Sequence, residues 1–97
     1  MFHHIVLFSW NDSVPAGYGA IAAQELRKYA ATLTGLVSYH CGENLGLTQG
    51  AADFAVSAVF EDEASWHAYD TADEHNRIRA EVFQPYVGTR TVIQFNS

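Results

Sequence analysis

The stretch from Trp66 to Asn76 gathers the side chains best suited to moving protons. Tyr69 carries a hydroxyl that donates and accepts hydrogen bonds, and His75 gains or loses a proton near neutral pH, so the pair is equipped to activate a small polar molecule. Two readings of His75 stand side by side. It is either a base that takes a proton from carbon next to a carbonyl, kept neutral by apolar surroundings and oriented by a neighbour, or a helix-junction histidine bonded to backbone. Tyr69 divides in the same way, between a donor to a carbonyl or enolate oxygen and an aromatic with its ring in the core and its hydroxyl in water.

Other chemistries find less support in the residues. His3 and His4 are adjacent on a strand, where neighbours point to opposite faces, so one metal ion cannot be held by both. Asp62, Glu63, Asp70, Asp73 and Glu74 form an acidic cluster with the charge for a hard cation, but such carboxylates more often cap helices and face solvent. The loop from Gly46 to Gly50 has neither the lysine nor the spacing of a phosphate-binding loop. His40 and His67 have no spaced carboxylate or thiol partners, and Trp66 reads as pocket wall or core filling. Neither a metal nor an organic cofactor is expected.

The elements that must position Tyr69 and His75 follow from periodicity. Residues 3–10 are strand formers ended by the turn residues Asn11, Asp12 and Ser13, and a helix is expected from Pro15 along the stripe Tyr18, Ile21, Ala22, Leu26, Tyr29 and Leu33, closed by Gly35. A second strand spans 36–45, with Val37, Tyr39 and Cys41 sharing a face, and a third runs from Phe54 to Phe60 with Phe54, Val56, Ala58 and Phe60 on one side. Asp62 suits the N-cap of a helix through Tyr69, and Asp73 suits the cap of a further piece carrying Ile78, Val82 and Phe83 before Pro85. The second helix is therefore expected to be broken. Residues 89–95 make the last strand.

The order βαββαβ over residues 1–97 predicts a single α+β domain of the ferredoxin-like sandwich type, its helices on one face of an antiparallel sheet. On the first strand His4 shares a side with Val6, Phe8 and Trp10, assigned to the helices, so His4 is placed either to meet His75 across a pocket or to pair with backbone in the core. Ile5 and Leu7, with Ala55 and Val59 of the third strand, then make the bare face too apolar for exposure, which predicts a homodimer joined through its sheets.

With 11 acidic and 5 scattered basic residues among 97, the chain carries a net charge of −6 and lacks the basic surface that nucleic acid requires. Cys41 is the only cysteine, so no internal disulfide forms and a reducing cytoplasm fits. No run is long and apolar enough for a membrane span, and the first residues lack the pattern of a signal peptide, so neither membrane nor export is expected.

Four segments carry a resemblance: His4 to Phe8, Tyr39 to Gly42, Asp53 to Val56, and Tyr69 with His75. In order and spacing they resemble the stress-responsive dimeric α/β-barrel (Dabb) family. Among its members the chain is similar to polyketide cyclases of the olivetolic acid cyclase type. That resemblance implies His75 as general base, Tyr69 and His4 as its assistants, and a cofactor-free aldol closure of a linear polyketide thioester in a pocket between sheet and helices. A first-helix tyrosine of those cyclases matches Leu26 here, with Tyr29 nearly one turn further on.

The preferred expectation is a homodimer that binds a small, mostly apolar carbonyl compound and catalyses proton transfer or cyclisation without a cofactor. His75 is the base, Tyr69 polarises the carbonyl, His4 supports the geometry, and Val6, Phe8, Leu26 and Ile78 line the pocket. Two rivals stand beside it: a non-catalytic, stress-associated ligand-binding or assembly domain, and a cofactor-free monooxygenase. An enclosed cavity reached by both side chains favours catalysis or ligand binding, whereas a filled core favours a structural role.

Overall fold

The strand β1 (Phe2–Trp10), one of the two inner strands of the sheet, pairs on both edges with other strands. The structure is a computed structural model that describes all residues from Met1 to Ser97. After β1 come α1 (Tyr18–Ala30), β2 (Leu36–Glu43), β3 (Phe54–Phe60), α2 (Glu63–Thr71), α3 (Asp73–Ile78) with a π-helical extension over Arg79–Phe83, and β4 (Val87–Asn96). The sheet order is β2-β3-β1-β4 with every pairing antiparallel, the ferredoxin-like α+β arrangement that the element order predicts. No helix is long and apolar enough to cross a membrane.

Alternation along β1 divides the labour between the two faces. Phe2, His4, Val6 and Phe8 are buried beneath the helices, and the register sets Val6 between Val56 and Val92, His4 between Ala58 and Gln94, and Phe8 between Phe54 and Arg90. From above, Ala22, Ala23, Leu26 and Tyr29 of α1 and Ile78, Val82 and Phe83 of the last helical run complete one core. Each large side chain enclosed there contributes about 2 kcal/mol through removal from water. On the opposite face Leu7, Ile93 and Phe95 are 42%, 56% and 44% exposed.

Several boundaries differ from the sequence reading, each for a local reason. Helix α1 starts at Tyr18 because Gly17, at φ 75°, precedes it in a left-handed conformation, and it ends at Ala30, leaving Leu33 in the following turn. Ile21 lies to the side of the buried stripe and is 54% exposed. In β2 the register slips between Leu36 and Ser38, so Val37 turns outward while Leu36, Tyr39 and Cys41 pack on the core; the strand stops at Glu43. Asp62 does cap α2, accepting from the Ser65 amide at 2.8 Å. Asp73, by contrast, is not a cap: extended Ala72 takes that place and Asp73 sits in the first turn, where its charge suits the helix dipole. Strand β4 begins at Val87, ahead of Thr89.

Candidate functional site

A pocket of about 430 Å³ lies between the sheet and the helices, and His4, Val6, Phe8, Leu26, Tyr69, His75 and Ile78 all line it. Its walls are largely apolar, with Val56 and Val92 from the sheet and Phe83 from the π-helical turn, while polar groups from α2, α3 and β4 enter among them. Such a volume falls at the lower end of the range for small-molecule sites.

Tyr69 sits in the last turns of α2, and the chain then breaks at Ala72, whose ψ of 147° interrupts the helix and redirects it. The break is what brings His75, on the first turn of α3, against Tyr69: their ring centres are 4.5 Å apart. His4 approaches from the sheet, its ring centre 6.1 Å from that of Tyr69 and 5.8 Å from that of Trp66. Trp66 is thus pocket wall, and its buried indole N–H has no acceptor within the chain.

Arg79 fixes the tautomer of His75. Its Nη2 donates to Asp70 Oδ1 at 3.0 Å and to His75 Nδ1 at 3.1 Å. A guanidinium has no acceptor, so Nδ1 must accept and the neutral ring carries its proton on Nε2. Burial, then the Arg79 charge, push the His75 pKa down to about 4 against a partial offset from Asp70. His4 is shifted in the same direction, by burial first and then, less than Asp70 opposes it, by Arg90; its Nδ1 accepts from the Gln94 amide nitrogen at 3.0 Å. The His75 ring is accordingly neutral at pH 7.

Tyr69 is buried, which pushes its hydroxyl up to about 12, and it shares a hydrogen bond of 3.3 Å with the Tyr39 hydroxyl. When Tyr39 donates, the hydrogen of Tyr69 is free for another acceptor. Tyr29 does not line the pocket: its hydroxyl donates to the Tyr69 carbonyl at 2.9 Å and its ring stacks on Tyr69, so it braces α2, and Leu26 supplies the α1 wall.

The residues that sequence reasoning missed are the partners: Arg79, Gln94, Tyr39 and Arg90. A signal existed for Arg79, which follows His75 by one helical turn, the spacing at which side chains meet. Gln94 and Arg90 depend on the β1–β4 register, which the sequence does not display. The acidic cluster is dispersed by separate tasks, Asp62 as a cap, Asp70 on Arg79 and Glu74 on Arg77, and no group of three or more metal-ligating side chains converges.

The arrangement joins a hydrogen-bond donor, a neutral imidazole and a largely apolar, partly open pocket, the parts of a site for carbonyl activation. The family model for the stress responsive A/B barrel domain, Dabb, matches residues 2–97. The chain belongs to this family. Its Dabb fold is shared by a dimeric ferredoxin-like protein of unknown function from Thermobifida fusca, 33% identical, with a TM-score of 0.90 over 99% of this chain and 90% of that one. A Dabb family protein from Mesorhizobium loti is 16% identical with a TM-score of 0.80, over 99% and 95% of the two chains. A hydroxynitrile lyase from Passiflora edulis is 13% identical with a TM-score of 0.80, over 97% and 90%. No curated protein sequence matches this Dabb chain.

Proposed function

We propose that the protein is a homodimer whose pockets bind a small, mostly apolar carbonyl compound and catalyse cofactor-independent proton transfer beside the carbonyl, with aldol-type cyclisation as its extension. The observation that carries this reading is the convergence of the His75 ring and the Tyr69 ring, 4.5 Å apart, on an apolar-walled pocket of about 430 Å³. Tyr69, backed by Tyr39, donates to the carbonyl oxygen. His75 takes the α-proton on Nδ1 after Arg79 withdraws to Asp70, its other acceptor; the resulting enolate is reprotonated or attacks a second carbonyl of the same molecule, and His75 returns the proton to the new alkoxide. His4, held by Gln94, keeps the opposite wall in place. Hydroxynitriles are adducts of carbonyl compounds, so the name of the Passiflora relative supports carbonyl chemistry on this fold.

The homodimer is supported by the exposed apolar face around Leu7, Ile93 and Phe95 and by the Thermobifida relative being described as dimeric. The reaction is tested with phenylacetone in heavy water, following loss of its α-protons by NMR. The protein is expected to accelerate exchange and His75→Ala, still folded by circular dichroism, to lose the acceleration. An equally active variant would remove His75 from the role of base. One observation favours a purely binding function, namely the Arg79 cap on the base nitrogen. Tight ketone binding with no exchange would establish it.

A further inference from the structure

Five side chains carry permanent positive charge, and four are engaged within the chain. Lys28 meets Glu25, Arg77 meets Glu25, Glu74 and Glu81, Arg79 meets Asp70, and Arg27 donates to the Cys41 carbonyl. Arg90 has neither an ion pair nor a side-chain hydrogen bond, and it lines the pocket. Its position is fixed by the sheet: it stands opposite Phe8 in the β1–β4 register, on the same face as Val92 and Gln94. Among the acidic and basic side chains lining the pocket, histidines aside, two arginines, Arg79 and Arg90, stand against one carboxylate, Asp70, in a chain whose net charge is −6. An uncommitted guanidinium beside an apolar chamber is a fork for a planar anion, and a carboxylate matches it with paired hydrogen bonds.

We propose that the pocket selects a carbonyl compound that also bears a carboxylate, with Arg90 as its anchor. The proposal rests on the carbonyl-binding reading of the site and adds the charged group that orients the molecule. With the carboxylate on Arg90, at the β4 side, the apolar body lies over Val6, Phe8 and Ile78 and the carbonyl turns toward Tyr69. A single free guanidinium at the exposed edge of a largely apolar pocket suits one carboxylate better than a phosphate dianion, which calls for several donors.

Calorimetric titration with phenylpyruvate and with phenylacetone, in which a methyl group replaces the carboxylate, tests the assignment. The wild-type protein is expected to bind phenylpyruvate about tenfold tighter or more. The preference should shrink with added salt, a readout that needs no variant, and Arg90→Gln should reduce it to about twofold or less. Equal affinity for the two probes overturns the proposal and leaves the carbonyl reading standing. A preference that survives in folded Arg90→Gln also overturns it. Failure of both probes to bind removes the carbonyl reading, and this proposal with it.

Discussion

At the scale of residues, the pocket shows how a neighbour's hydrogen decides what an imidazole can do. His75 is neutral because it is buried and lies beside Arg79, yet the same guanidinium occupies the lone pair that a base needs. Arg79→Met removes the charge and frees the lone pair but leaves the burial in place. The His75 pKa is then expected to rise from about 4 toward its ordinary value of 6.5, by an NMR titration of the ring protons. The sign for catalysis follows: a base works unprotonated, so wild-type exchange should hold steady down to about pH 5 and fall as pH approaches about 4, whereas the variant should begin to fall at higher pH. An unmoved pKa in Arg79→Met would show that Arg79 does not control the ring. That His4, Tyr69 and His75 face one pocket was legible from sequence because strand alternation and a broken helix restrict where they point. Their partners were not, since Gln94 and Arg90 reach them only through a pairing between the first and last strands.

At the scale of elements, the geometry around Ala72 matters most, because a continuous helix would carry His75 away from Tyr69. The start of this helical run is secured by two contacts of different kinds. Asp62 caps α2 through the Ser65 amide, and Asp62→Ala is expected to cost about 1 kcal/mol of stability in urea unfolding. Gly35, at φ 75°, leaves room for Ser65, whose Cβ would lie 2.7 Å from an added Cβ, so Gly35→Ala should cost more than the cap. The opposite ranking would mean that the α1–β2 turn yields freely. Further along, the Gln84 amide reaches back to the Arg79 carbonyl at 2.9 Å, the π-type bond that widens the run where Arg79 faces Asp70 and His75. Periodicity revealed the strands and the helical stripe, since burial enforces both. It missed the slip at Val37 and the π-helical turn, where one residue is accommodated locally without a change in overall pattern.

At the scale of the whole molecule, the reverse of the sheet carries an exposed apolar face, the surface assigned to the proposed dimer. Ile93, 56% exposed and opposite Ile5 in the sheet, is the point at which a charge should do most damage. Ile93→Lys is expected to convert a sedimenting dimer into a folded single subunit, and a wild-type protein that sediments as one subunit would refute pairing through this face. The apolar character of this face was readable from Ile5 and Leu7, while Ile93 and Phe95 joined it only once β4 was set beside β1.

β1 sends His4, Val6 and Phe8 to the pocket and Ile5 and Leu7 to the other side, so one ribbon borders both the proposed binding site and the proposed dimer face. Under the proposed pairing, rigidity gained on either side of that ribbon lowers the cost of ordering the other. Whatever factor association adds to the affinity for a small molecule, occupancy must return to association. Dilution would then loosen the grip on the small molecule, and a saturating dose would hold the two subunits together at concentrations where they would otherwise part.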